Sequence, residues 1–241
     1  LKSYSHGAVA ALLDVAHHLN VPAVINKYIK SPRSYMAEKP TRNNLTAGIT
    51  FLLGAIGRVC MPTSKRSWWD WAKSTSCEYL LKCSLSKIDS QHFWDLMDAL
   101  PVEAIPKIEQ ELLEKAFKIY NLKSDTLFFD TTNFFTYIDS TNSRCNIARR
   151  GKNKQKRYDL RQIGLAMVVT KEDMIPVFHY TYQGNINDSV IFKIVLEKIK
   201  NRIEELKLDI EKHTVVFDRG NNSKKNLAII KEHSLYYVGA L

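Results

Sequence analysis

The second half of the chain alternates short runs of β-branched and aromatic residues with segments that are apolar at helical spacing. This ordering constrains the fold more than any other feature. The runs are "TLFFDTTNFF" from Thr126, "QIGLAMVVT" from Gln162, "IPVFHYTY" from Ile175, "TVVFD" from Thr214 and "LYYVGAL" from Leu235. Content of this kind reads as strands. The polar turn "KEDM" joins the second and third runs into a hairpin. A helix is expected from about Asn187 to Leu208, with Ile191, Val195, Ile199 and Ile203 along one stripe. A second helix is expected in "SKKNLAIIKEHS". Strand, hairpin, helix, strand, helix, strand predicts a mixed α/β sheet, and the helical crossovers make its later strands parallel.

The first half reads as helical. "HGAVAALLDVAHHLN" carries Val9, Leu12, Leu13 and Val15 at helical spacing and stops at Asn20. Pro22 is placed to open a second helix, "PAVINKYI". This pair fits either a DNA contact or plain packing. The stretch "TAGITFLLGAIGRVC", residues 46–60, is short for a membrane span and is interrupted by Arg58, so it reads as a buried helix. Trp68, Trp69 and Trp71 in "SWWDWAKS" fit helix packing or a subunit contact, with base stacking as the alternative. Two further helices, split by Pro101 and Pro106, fill residues 90–120. The expected division is a helical region over 1–120, open to DNA binding or subunit contact, and an α/β region over 121–241.

Charge narrows the partner. With 35 Lys and Arg against 25 Asp and Glu, the net charge is +10. A balance this basic points to a polyanion, most often DNA or RNA. The four cysteines include no C-x-x-C pair, so neither a zinc site nor a disulfide scaffold is indicated, and a reducing cytoplasm fits.

Two of the apolar runs lead into an aspartate, so that Asp130 and Asp218 both read as sitting where an apolar strand ends. If their strands are neighbours, the two carboxylates meet. Like charges at close range repel unless a cation lies between them, and Mg²⁺ or Mn²⁺ prefers such oxygen ligands. A metal pair so held can activate water and stabilise the leaving oxygen of a phosphodiester. An aspartate before a glycine is also a common turn residue, and one alone would be structural. Residues 144–161 carry Arg144, Arg149, Arg150, Lys152, Lys154, Lys156, Arg157 and Arg161, with Asp159 as the one acid. The segment reads as a solvated loop or, beside a phosphodiester site, as phosphate contacts that position DNA without reading it. His179, inside an apolar run, reads as a core histidine. Asp188 reads as a helix cap together with Asn187, or as a neighbour of the metals.

Around these residues the chain resembles the DDE transposases of the insertion-sequence-4 family, in the long-spacing branch with a G-N-x-x-D block. The resemblance covers residues 120–241 and extends to the helical "HGAVAALLDVAHHLN". Asp130 and Asp218 match the family's first two acids. Pro176, Gly184, Asn185 and Asp188 match the block between them, and Gly220, Ser223 and Asn226 match the pattern after the second acid. The resemblance implies an RNase H-like catalytic core, metal ligation by Asp130 and Asp218, and Mg²⁺ or Mn²⁺ as cofactor. It implies element-end and target DNA as partners, and a homo-oligomer on DNA. The family's third acid is a glutamate in a Tyr-Arg-Glu-Lys signature that this sequence lacks. The expectation is therefore an N-terminal fragment or truncated copy, inactive alone. Two rivals stay open: a metal-dependent nuclease whose site Asp188 completes, and a non-catalytic DNA-binding protein.

Overall fold

A computed structural model describes residues 3–29, 45–64, 66–86, 88–139, 141–153, 155–208 and 213–239. The chain divides into two units, Leu1–Ala116 and Phe117–Leu241.

The first unit is helical. It contains α1 (Gly7–His18), α2 (Val21–Tyr28), α3 (Ala47–Cys60), α4 (Trp68–Lys73), α5 (Cys77–Leu81) and α6 (Ser90–Ala99). After the 3₁₀ turn Val102–Ala104, α7 (Ile105–Tyr120) runs on past the unit's end. Asn20 takes the left-handed conformation (φ 54°) that stops α1, and Pro22 lies in the first turn of α2. Thr46 caps α3, its hydroxyl accepting from the Ile49 amide at 3.3 Å. Leu52, Leu53 and Ile56 of α3 form the core with Val9, Ala16, Trp68 and Trp69. Trp68 and Trp69 are 4% and 2% exposed with ring centroids 3.7 Å apart, which makes them packing residues and not a surface for bases. Among the described residues no single helix is long and apolar enough to cross a membrane.

The second unit is a mixed α/β layer. Its strands are β1 (Thr126–Thr136), β2 (Arg161–Thr170), β3 (Pro176–Gln183), β4 (Thr214–Phe217) and β5 (Tyr236–Gly239), in the order β3-β2-β1-β4-β5. The pairs β1–β2 and β2–β3 are antiparallel, while β1–β4 and β4–β5 are parallel. The parallel steps follow the crossover helices α8 (Asp188–Glu205) and α9 (Lys224–Glu232). β3 is an edge strand, which is why Pro176 can open it without losing a needed N–H. The stripe Ile191, Val195, Ile199 and Ile203 of α8 is buried, joining Leu127 and Phe129 of β1 with Val215 and Phe217 of β4. His179 lies half-buried in β3.

Candidate active site

The register between β1 and β4 sets the site. Thr126, Leu127 and Phe128 pair with Thr214, Val215 and Val216, a constant offset that carried forward brings Asp130 level with Asp218. At the opposite end, the buried Ser124 hydroxyl meets His213 Nε2 at 3.0 Å, and the Thr214 amide donates to the Asp125 carbonyl at 2.8 Å. The residues just before the two aspartates, Phe129 and Phe217, both pack edge-on against the Phe192 ring of α8, at centroid distances of 5.1 and 4.7 Å. One core ring thus anchors both backbones where they deliver the acids.

One sequence expectation needs correcting here. Asp130 does not end its strand: β1 continues to Thr136, because β2 pairs with it as far as Arg161. What ends is β4, at Phe217, so among the described residues no strand pairs with β1 beyond it on that side. Asp130 lies where β1 loses its parallel neighbour, and Asp218 is the first residue past β4.

Asp130, Asp218 and Asp188 all line one cavity of about 530 Å³, together with Asn133, Lys152, Tyr158 and Asn221. Each acid has one oxygen held by a protein donor. The Thr131 amide donates to Asp130 Oδ1 at 2.7 Å, the Tyr182 phenol to Asp188 Oδ1 at 3.0 Å, and Asn221 Nδ2 to Asp218 Oδ1 at 3.0 Å. All three acids are exposed to solvent. Asp188 is not the helix cap. That role is taken by Asn187, whose side chain accepts from the Ser189 amide at 3.0 Å, leaving Asp188 to Tyr182 and the cavity.

Tyr182 reaches Asp188 because position 164 is a glycine. Gly164 pairs with Tyr182 across β2 and β3, and a Cβ there would run into the phenol ring. Burial, reinforced by the Asp188 charge, pushes the Tyr182 phenol well above the usual tyrosine range, so it stays a donor.

The basic segment is partly clasped to the sheet. Arg149 and Gln162 exchange both backbone hydrogen bonds, at 3.0 and 2.8 Å. Gln162, 1% exposed, donates from Nε2 to the carbonyls of Gly184 (2.6 Å) and Lys152 (3.1 Å). A Cβ at Gly151 would collide with the Gly184 carbonyl. The clasp brings Lys152 to the carboxylate cavity, and Arg150 with Lys152 to an adjoining polar cavity of about 490 Å³ that also borders Asp188. The other predicted phosphate contacts divide. Arg157 forms a two-pronged ion pair with Asp159, 2.9 Å on each prong, which draws the Asp159 carboxyl below its ordinary range. Arg161 donates to the Asn142 carbonyl at 2.9 Å. Arg144 and Lys156 are exposed outside both cavities. Lys154 lies outside the described residues.

The residues after Asp218 build its support. Ser223 caps α9, accepting from the Asn226 amide at 3.1 Å, and buried Asn226 donates to the Asn221 carbonyl at 3.0 Å. Gly220 lines the cavity. Sequence reasoning missed Asn221, Tyr182 and Gln162 as site residues. Gly164 inside a strand was the available signal for Tyr182, since such a glycine marks a close approach.

The donor chemistry suits a hard divalent cation. Asp130 and Asp218 each keep an oxygen that no donor among the described residues reaches. Among those residues no three His, Cys, Asp or Glu side chains form a ready-made metal group.

No protein-family model and no curated protein matches the chain. Among solved structures it is similar to the piggyBac transposase in its synaptic complex with hairpin DNA, with TM-score 0.47 and 14% identity, over 95% of this chain and 50% of that one. It is also similar to the Mos1 transposase in a paired-end complex with the left transposon end, with TM-score 0.34 and 10% identity, over 86% of this chain and 59% of that one. A third similarity is to the Mos1 mariner paired-end complex with Mn, with TM-score 0.31 and 10% identity, over 93% of this chain and 67% of that one. The chain thus spans half the length of the piggyBac protein. Likeness at this level leaves the site to be argued from its own residues.

Proposed function

We propose that this chain processes DNA strands as a transposase of the DDE type, of the insertion-sequence-4 kind. The observation that carries the reading is the pair Asp130 and Asp218, level with one another beside neighbouring parallel strands and lining one cavity with Lys152. The two carboxylates would hold Mg²⁺ or Mn²⁺. A cation bound there supplies Lewis acidity toward a phosphodiester oxygen and eases deprotonation of the attacking water or hydroxyl.

The chain's other residues position the DNA. Lys152 and Arg150 attract backbone phosphates, fixing the strand without reading bases. In hydrolysis, water oxygen bonds to phosphorus, the bond from phosphorus to the 3′ oxygen breaks, and a 3′ hydroxyl leaves. In transfer, that hydroxyl attacks a target phosphodiester and expels the target's own 3′ oxygen. The partners are element-end and target DNA, engaged by more than one copy of the chain.

A second reading rests on Asp188, which borders the same cavity. A nuclease completed by Asp188 would cut without joining.

The test is cleavage and joining of DNA carrying the ends that flank the reading frame, with Mg²⁺ or Mn²⁺. The 241-residue chain is compared with one extended through any downstream frame, each with an Asp130→Ala control. The expected result is Asp130-dependent cutting followed by joining, slow in the 241-residue chain because two acids hold the cation. Efficient cutting without joining by that chain selects the nuclease. Activity that survives Asp130→Ala overturns both.

A further inference from the structure

The turn after β4 carries a buried side chain whose hydrogen bonding is lopsided. Asn221 is 4% exposed and borders the carboxylate cavity. Its Nδ2 donates to Asp218 Oδ1 at 3.0 Å, while its own Oδ1 is buried with no hydrogen-bond partner among the described residues. Buried acceptors left unmade are rare and each calls for a reason. A side chain chosen for folding alone would be apolar here, or would satisfy both ends of its amide. The backbone around it is fixed on three sides. The Asn221 amide donates to the Asp218 carbonyl at 3.3 Å, and the Asn221 carbonyl accepts from the Ser223 amide at 2.8 Å and from Asn226 Nδ2 at 3.0 Å. Asn226 is itself buried and its amide is capped by Ser223. The turn Arg219–Asn221 is therefore tied to the start of α9, and the amide it carries is presented to Asp218.

We infer that Asn221 is a positioning residue for Asp218. It occupies Oδ1, sets the rotation of the carboxylate, and leaves Oδ2 as the oxygen offered to a divalent cation in the cavity. This rests on the reading of Asp130 and Asp218 as a cation-binding pair. Partners of ligating carboxylates commonly carry a tenfold to hundredfold share of metal affinity. The orphan Oδ1 is what the fold tolerates in order to keep the donor on Asp218.

The experiment is calorimetric titration of the whole chain with Mn²⁺. Asn221→Ala is expected to bind Mn²⁺ about tenfold more weakly than the unmodified chain. In an Asp218→Asn background the same substitution is expected to change nothing further, because the carboxylate it served is gone. Asn221→Leu is the second variant. It keeps the length and removes the orphan oxygen, so its thermal midpoint without metal should hold while its Mn²⁺ affinity falls as in Asn221→Ala. Asn221→Ser, which keeps a donor, should recover part of the affinity. Three results overturn the proposal: unchanged affinity in Asn221→Ala, an equal loss in both Asp218 backgrounds, or failure of both Ala and Leu variants to fold, which makes Asn221 structural. If the unmodified chain shows no Mn²⁺ binding that Asp218→Asn weakens, the cation-pair reading itself is what fails.

Discussion

Asp188 depends on a phenol that the fold keeps protonated. Burial and the neighbouring carboxylate raise the Tyr182 pKa above its ordinary value of about 10. The folded state thus favours the neutral phenol more than the unfolded chain does. The associated stability is complete below pH ~10 and is lost as pH climbs through the raised folded-state value. Tyr182→Phe removes both the donor to Asp188 and this titration. At pH 7 the substitution should cost about 0.5–1.5 kcal/mol, the usual net worth of one hydrogen bond. Urea unfolding between pH 8 and pH 11 should show stability falling more steeply in the unmodified chain than in Tyr182→Phe. Identical pH slopes would mean that Tyr182 titrates as an ordinary surface tyrosine.

At the scale of elements, α8 connects the core to the site. Phe192 is fully buried and packs against both Phe129 and Phe217, each one residue before a cavity aspartate. Phe192→Ala should cost about 3–5 kcal/mol, as expected for an aromatic truncated in a packed core. Urea unfolding of the two chains measures it. Loss below about 1 kcal/mol would show that the ring does not tie β1 and β4 together.

Much of this layer was legible in sequence. The alternating runs gave the strands, the crossovers gave the parallel pairs, and the fourfold stripe from Ile191 to Ile203 gave the buried face of α8. The end of a strand was less legible. Asp130 interrupts an apolar run, yet β1 continues because β2 supplies partners to Thr136, and pairing partners are not written in the strand's own residues. The site was legible for its charged groups and, through the resemblance, for Gly220, Ser223 and Asn226. Asn221, Tyr182 and Gln162 act through hydrogen bonds to residues distant in pattern or polarity, and only the glycine opposite Tyr182 left a trace.

For the whole molecule, the net charge of +10 sets an attraction to DNA, and the clasp on residues 147–152 decides which cations stand beside the carboxylates. Replacing Arg149, Arg150 and Lys152 by alanine should reduce the salt dependence of duplex DNA affinity. Each lost phosphate contact lowers the slope of log K against log salt by about 0.9. Fluorescence anisotropy across a salt series measures this, and an unchanged slope would return the segment to a solvated loop. Arg157 is expected to contribute less, because Asp159 already holds its guanidinium. The claim on which the account turns is that Asp130 and Asp218 hold one cation between them, a claim that DNA affinity does not reach. Mn²⁺ titration of the unmodified chain, Asp130→Asn, Asp218→Asn and the double variant tests it directly. Each single substitution should weaken binding at least tenfold, and the double variant should bind no more weakly than the weaker single one. Wild-type Mn²⁺ affinity in either single variant, or losses that simply add, would contradict a shared site.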